Sequence, residues 1–284
     1  MKRILITGAD SYIGTSVEKW LERYPDRYQV DTVDMRTDSW KEKGFSPYDV
    51  VFHVAGIAHV KETKENESLY YRVNRDLACE AARKAKSDGV GQFIFLSTMS
   101  VYGIDTGVID ENSSLNPKTN YGKSKLQAEE LIRSLEDDTF IITVLRPPMI
   151  YGIGCKGNYQ RLAQLAIKAP LFPDIENKRS MLHIDNLCEY VRLLIENKES
   201  GLFFPQNREY VKTSEMVRLI AEAHGKRIKL VKVFNPIIRV MLGRVGIVKK
   251  VFGNLVYQKE MSVYKEEYQV VHLEKSIQLT ESQI

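Results

Sequence analysis

The sequence predicts an α/β fold, a doubly wound parallel sheet with helices on both faces. Three observations predict it. Short β-branched runs alternate with stretches of helical period through the first half of the chain. The turn after the first run reads "TGADSYIG", with glycines at Gly8 and Gly14. A chain of 284 residues is long enough for one large α/β unit or two domains of ordinary size.

The elements follow in order. "KRILIT" (residues 2–7) is β-branched and short, as a buried strand requires, and Ile13, Val17, Leu21 and Tyr24 then recur at helical spacing. "YQVDTVD" and "YDVVFHVAG" are the second and third strands, and a long helical pattern runs from about Ser68 to Lys86. "GQFIFLST" is a fourth strand. A helix from Tyr121 to about Leu135 lines up Tyr121, Lys125, Ala128, Ile132 and Leu135 on one face. "TFIITVLRP" is another strand, stopped by Pro147 and Pro148. Strands alternating with helices imply βαβ units, hence a parallel sheet covered on both sides. Further on, "KTSEMVRLIAEAHGK" reads as a helix capped near Thr213 or Ser214. The sequence has no internal repeat and no low-complexity segment.

Composition narrows the class. Hydrophobic residues make up 43% and charged residues 27%, as in an ordinary globular protein. A net charge of +4, from 41 basic and 37 acidic residues, is too mild for a nucleic-acid partner. Cys79, Cys155 and Cys188 are odd in number and far apart, with neither metal-ligand spacing nor a disulfide framework. A reducing, cytoplasmic setting is therefore expected. Met1 leads almost directly into "RILITG", so no signal peptide is expected. No apolar run approaches the roughly 20 residues of a membrane span.

The first turn points to a cofactor. Gly8 would permit the tight turn, and Gly14 would let the following helix pack close to the sheet. The helix start, around Ser11, Tyr12 and Ile13, then offers N–H groups and a positive dipole end to a pyrophosphate. Asp34 ends the second strand about 20 residues on, where a carboxylate grips an adenosine ribose. Two glycines in a βα turn are a weak signal alone; the strand, helix and acid around them make it stronger.

These residues resemble the extended short-chain dehydrogenase/reductases, the nucleotide-sugar epimerase, dehydratase and reductase group. That family's loop, T-G-x-x-G-x-x-G, corresponds here to Thr7, Gly8, Ser11 and Gly14, with Ser11 in place of the middle glycine. Its Y-x-x-x-K pair is matched by Tyr121 and Lys125, and its Ser or Thr before a "VYG" turn by Thr98 in "STMSVYG". "FHVAG", with Ala55 and Gly56, is similar to the stretch lining the cofactor, and Asn74 in "YRVNRD" to a frequent family asparagine. "LRPPMIYG", with Pro148, is similar to the segment beside the nicotinamide. "KRSMLHIDNL" is similar to a nucleotide-sugar segment in which Arg179 would meet the diphosphate, and Asn158 in "KGNYQRL" falls where a substrate asparagine is often found. The likeness covers about residues 2 to 195 well and the rest loosely.

The resemblance implies a Rossmann-like fold with a small C-terminal α/β substrate-binding domain. The dinucleotide-binding domain would be 1–155, with 179–205 returning to it, and the substrate domain 156–178 and 206–284. The implied cofactor is NAD or NADP: Asp34 would repel a ribose phosphate, whereas Arg36 would partly accept one. The implied partner is a UDP-linked sugar, with a homodimer left open.

The residue types suit the chemistry. A free tyrosine has a pKa of about 10, and a nearby lysine ammonium lowers it. Lys125 is thus expected to tune Tyr121 as acid or base and to hold the nicotinamide ribose, while Thr98 hydrogen-bonds the substrate oxygen. Taken alone, Tyr121 would be read as a packed ring at a helix start with Lys125 solvated; the ordered set argues otherwise. Tyr102 and Tyr151 are expected to be turn and packing residues, His53 a core residue, and Cys155 incidental. His59 and His183 fall near the cofactor and substrate stretches of the sequence and are assigned no role.

Two reactions fit: reduction of a UDP-4-keto-6-deoxy sugar in cell-surface polysaccharide synthesis, and 4-epimerisation of a UDP-sugar on retained NAD. A non-catalytic dinucleotide sensor would not need Thr98, Tyr121 and Lys125 together. Met99 and Ser100 stand where family dehydratases carry acids, which argues against dehydration. The short chain, with its small C-terminal region, favours the reductase. From Lys226 to Lys259 there are nine basic residues and no acidic one. That stretch is read as a solvated basic face, as attraction for an anionic sugar nucleotide, or as weak attachment to a membrane surface.

Overall fold

The computed structural model describes residues 1–58 and 60–282, with the side chain of Ile247 left aside. The chain divides into two compact units. The first comprises residues 1–103, 114–147 and 187–205; the second comprises 104–113, 148–186 and 206–284.

The first unit is Rossmann-like. Strands β1 (Lys2–Thr7), β2 (Tyr28–Val33), β3 (Val50–His53) and β4 (Gln92–Leu96) come early; β5 (Gly107–Ile109) belongs to the second unit, and β6 (Ile141–Leu145) returns to the first. With β10 (Gly201–Phe203) they form one parallel sheet in the order β10-β6-β4-β3-β1-β2. Its helices are α1 (Tyr12–Leu21), α2 (Glu67–Tyr71), α3 (Leu77–Ser87), α4 (Asn120–Arg133) and α6 (Ile184–Glu196), the last belonging to this unit from Leu187.

Strand alternation explains the two-sided cover. Leu5, Val51, Phe93, Phe95, Ile142 and Val144 face one way and bury against Ala78, Ala81, Ala82 and Ala85 of α3 and Ala128 and Ile132 of α4. Fully burying such an apolar side chain is worth about 1.5–3 kcal/mol, so this face is a principal source of stability. On α1, Trp20 donates to Glu189 of α6 at 2.9 Å, and Tyr28 of β2 donates to Glu196 of α6 at 2.6 Å. The strand order reverses between β1 and its neighbours β2 and β3, so the crevice for a ligand lies beyond their carboxyl ends.

The helix expected from Ser68 to Lys86 is broken. Arg72–Asp76 form a π-turn between α2 and α3, and this extra residue per turn aims Asn74 inward, fully buried.

The second unit holds three two-stranded parallel ribbons: β5 with β12 (Leu255–Tyr257), β7 (Met149–Tyr151) with β9 (Met181–His183), and β8 (Leu171–Pro173) with β11 (Lys229–Val231). Around them are α5 (Asn158–Lys168), α7 (Thr213–Ala223), α8 (Asn235–Leu242), α9 (Gly246–Phe252) and α10 (Leu273–Glu281). The boundary expected after residue 155 falls instead after Pro147, because β7 pairs with β9; 104–113 and 179–186 likewise lie in the second unit. The cap expected at Thr213 or Ser214 is also different. Lys212 occupies the N-cap position without a side-chain bond, and Asn177 Oδ1 accepts from Thr213 N at 2.9 Å in its place.

Candidate functional site

The candidate residues of the first unit gather at the carboxyl ends of its strands. After β1, Gly8 has φ +98°, and a Cβ there would stand 3.0 Å from the Ala55 backbone. Glycine is thus the residue that lets the turn cross the end of β3. Ser11, the departure from the family pattern, has an extended backbone and caps α1: its Oγ accepts from Gly14 N at 3.1 Å. Tyr12 and Ile13 form the first turn of α1, half-buried, and Gly14 is buried beneath it. Beyond β2, Asp34 Oδ1 accepts from both the backbone N and the Nε of Arg36 at 2.9 Å. The Arg36 guanidinium holds the Asp34 carboxyl below its ordinary range. Asp10, in the turn after β1, lies 3.6 Å from the same guanidinium.

The loop after β3 carries Ala55, buried, and Gly56, exposed. Asn74 clamps it: Ile57 N donates to Asn74 Oδ1 at 2.8 Å, and Asn74 Nδ2 donates to Ile57 O at 3.1 Å. Asn74 Nδ2 also donates to Ser124 Oγ on α4 at 3.3 Å, so the π-turn ties the β3 loop to α4.

Thr98 follows β4 and caps the short 3₁₀ turn Met99–Tyr102, accepting from Ser100 N at 3.1 Å. Thr119 caps α4 through Gly122 N at 3.1 Å. Gly122 permits the approach of α4 to that turn, since a Cβ there would meet Ser100 O at 2.8 Å. As a result Tyr121 comes beside Thr98, whose side chain opposes the rise of the phenol pKa. Lys125 lies one turn on and is 4% exposed. Its Nζ donates to Leu96 O at 2.8 Å and sits 4.6 Å from the Phe95 ring centroid. Burial lowers its pKa to about 8.

Burial raises the Tyr121 pKa, and Thr98 opposes that rise. The lysine ammonium gives one of its three donors to Leu96 O.

Three neighbours were not singled out in the sequence. Glu62 accepts from Asn120 N at 3.0 Å and Tyr121 N at 3.1 Å, occupying the start of α4. Glu129, one turn past Lys125, accepts from Arg146 Nη2 at 2.6 Å and from the Ser97 hydroxyl. Arg146 Nη1 donates to the Tyr102 hydroxyl at 3.0 Å, so Tyr102 packs and pairs behind the site, as expected for a turn residue. A Y-x-x-x-K-x-x-x-E spacing was the available signal for Glu129; nothing in the sequence joins it to Arg146.

His53 is fully buried, with Nδ1 2.8 Å from Thr7 Oγ1 and its ring beside Phe93 and Phe95; burial lowers its pKa to about 3. It is a core residue. His59 lies outside the described residues.

The remaining candidates belong to the second unit. Pro148 is buried at its first position. Asn158 begins α5 with its side chain exposed, so it is not held by the fold. Arg179 is half-buried; its Nη1 donates to Gly253 O at 3.1 Å, and burial lowers its pKa. His183 is buried edge-on to Tyr151, and burial lowers its pKa to about 4. Tyr151 hydrogen-bonds Ser276 Oγ at 2.6 Å and Asn207 Nδ2 at 3.0 Å and stacks on Tyr159, a packing residue. Cys79, Cys155 and Cys188 are buried and in no disulfide, and burial raises the Cys155 thiol, which argues against a nucleophile.

Known proteins resemble this chain in sequence and in fold. The chain is 31% identical over 255 residues to a UDP-glucose 4-epimerase of Vibrio cholerae, covering 79% of this chain and 76% of that protein. It is 29% identical over 217 residues to an N-acetyl-alpha-D-glucosaminyl-diphospho-ditrans,octacis-undecaprenol 4-epimerase of Escherichia coli O157:H7, covering 70% and 64%. A UDP-glucuronic acid 4-epimerase from Bacillus cereus, solved with NAD, superposes with a TM-score of 0.75 at 19% identity over 99% of this chain and 97% of that one. A dTDP-4-dehydrorhamnose reductase from Clostridium acetobutylicum gives 0.74 at 19% identity over 99% and 98%. At such identity these structures speak to the fold. Residues 4–204 match a family pattern that spans the whole sheet and every catalytic candidate of the first unit, and the chain belongs to the NAD dependent epimerase/dehydratase family.

Proposed function

We propose that this protein reduces the 4-keto group of a UDP-4-keto-6-deoxy sugar, UDP-2-acetamido-2,6-dideoxy-4-hexulose, to a UDP-N-acetylquinovosamine or UDP-N-acetylfucosamine, using NADH or NADPH. The observation that carries it is the approach of α4 to the Thr98 turn at Gly122, which brings Tyr121 beside Thr98, with Lys125 buried one turn on. The first unit fits a dinucleotide: the Gly8 turn has no room for a side chain, Ser11 leaves the start of α1 ordered, and Asp34 stands fixed beyond β2. When bound, the cofactor supplies the hydride for carbon 4.

Each side chain then has a task. Tyr121, whose phenol burial keeps protonated, donates its proton to the carbon-4 oxygen. Thr98 Oγ1 hydrogen-bonds that oxygen and orients it. Lys125 hydrogen-bonds the nicotinamide ribose, and its charge stabilises the phenolate left when Tyr121 gives up its proton. Asp34 accepts from the adenosine ribose hydroxyls, and Arg36 beside it leaves use of NADP open. Arg179 and Asn158 serve the diphosphate and the sugar.

A second reading is 4-epimerisation of a UDP-sugar on a retained cofactor. The Vibrio cholerae and Escherichia coli relatives, both 4-epimerases, support it. The short chain, with its small C-terminal region, favours reduction. The test is loss of the reduced-nicotinamide absorbance with enzymatically made UDP-4-keto-6-deoxy-N-acetylglucosamine. Stoichiometric loss with a 4-hydroxy product supports the reductase. No loss, with UDP-glucose and UDP-galactose or their N-acetyl forms interconverting without added cofactor, overturns it in favour of the epimerase.

A further inference from the structure

The second unit carries a surface that the proposed chemistry leaves unused. α8 turns Ile238 inward, 9% exposed. The opposite face of a surface helix is ordinarily polar. Here it carries Ile237 at 62% exposure and Val240 at 64%, three apart and hence neighbours. Val233 and Phe234, both exposed, extend the apolar patch at the start of the helix. Lys232, Arg239, Arg244 and Lys250, all exposed, stand before, within and after the helix along the chain. Among the described residues no carboxylate pairs with Arg239 or Arg244. The whole stretch from Lys226 to Lys259 has no acidic residue.

Single exposed apolar side chains are ordinary, but a contiguous patch with a polar rim marks a contact surface. Charge selects the occupant. A second copy docking through this face would set the same basic stretch against itself, cation against cation. An anionic bilayer offers phosphates to the basic residues and acyl chains to the apolar ones, the pattern of an interfacial helix. Each Lys or Arg near such a surface raises partitioning about fivefold. Among the described residues no helix is long and apolar enough to cross a membrane, so the contact is peripheral.

We propose that α8 docks on an anionic lipid surface, with Ile237 and Val240 entering the headgroup–acyl boundary and Lys232, Arg239 and Arg244 meeting lipid phosphates.

The test is sedimentation of the full chain with vesicles of phosphatidylglycerol and phosphatidylcholine, or of phosphatidylcholine alone. Binding to the anionic vesicles at low salt, and little to the neutral ones, is expected. The Ile237→Glu/Val240→Glu and Arg239→Glu/Arg244→Glu pairs should each weaken binding about tenfold or more with the melting temperature unchanged. In the Ile237→Trp variant, anionic vesicles should shift the emission to the blue. No binding to anionic vesicles at low salt overturns the proposal. So does binding that Ile237→Glu/Val240→Glu leaves intact, which is charge alone. A solution dimer that the same pair dissociates also overturns it, by giving the face to a second copy.

Discussion

Glu129 and Arg146 face each other inside the first unit through three nitrogen–oxygen contacts of 2.6 to 3.1 Å, and each side chain is 5% exposed or less. The pair joins α4, one turn past Lys125, to the end of β6. Glu129 is also the group that raises the Lys125 pKa against the effect of burial. Removing one partner leaves a buried charge uncompensated, which costs about 3–5 kcal/mol. Glu129→Gln is therefore expected to lower the unfolding free energy by about that much in urea titration. Glu129→Leu with Arg146→Met should recover most of it. If Glu129→Gln unfolds like the parent, the pair is not what holds α4 to β6.

Tyr121→Phe keeps the ring and removes the proton. Turnover is expected to fall about 100- to 10,000-fold, the range for losing a general acid. NADH binding, followed by fluorescence titration, should stay within a few-fold. Near-normal turnover would remove Tyr121 from the mechanism.

Lys125 gives a stability prediction whose sign follows from burial. Its folded pKa of about 8 lies below the ordinary 10.5, so the fold disfavours the ammonium. That cost is full below pH 8 and disappears as the pH rises to 10.5. At about 1.4 kcal/mol per unit it is on the order of 3 kcal/mol. Lys125→Met should thus melt higher than the parent at pH 7 while losing activity, and the gain should shrink between pH 8 and 10.5. A melting temperature lowered at pH 7 would mean that the bond to Leu96 O outweighs desolvation.

Ser11 supplies a cap where the family has glycine. Ser11→Ala is expected to cost about 1 kcal/mol and Ser11→Gly a few tenths. Because its backbone is extended and ordinary for serine, Ser11→Gly should also leave NADH affinity within a few-fold, measured by calorimetry. A large gain in affinity would show that the hydroxyl obstructs the phosphates.

The sheet was readable because its strands are buried on both faces, and such strands appear as unbroken apolar runs. "KRILIT" and "GQFIFLST" became β1 and β4 within a residue or two at their ends. Tyr121 and Lys125 were readable because four residues make one helical turn, a purely local relation. What escaped was non-local. Glu129 and Arg146 are 17 residues apart on different elements. Asn177 caps α7 from 36 residues away. The π-turn at Asn74 has no compositional mark, since Arg72–Asp76 would serve equally well in an α-helix.

The edge strand β10 has a consequence for how this chain is made. It pairs with β6 through Gly201↔Thr143, yet residues 148–186 belong to the second unit. On the ribosome, β6 emerges well before its partner and waits with an open edge, the kind of surface through which nascent chains aggregate. Completion of the sheet is tied to a contact of long sequence separation, which slows folding. A chain halted before Gly201 should accordingly be recovered bound to chaperones or in the pellet, whereas one released past Pro205 can close its sheet.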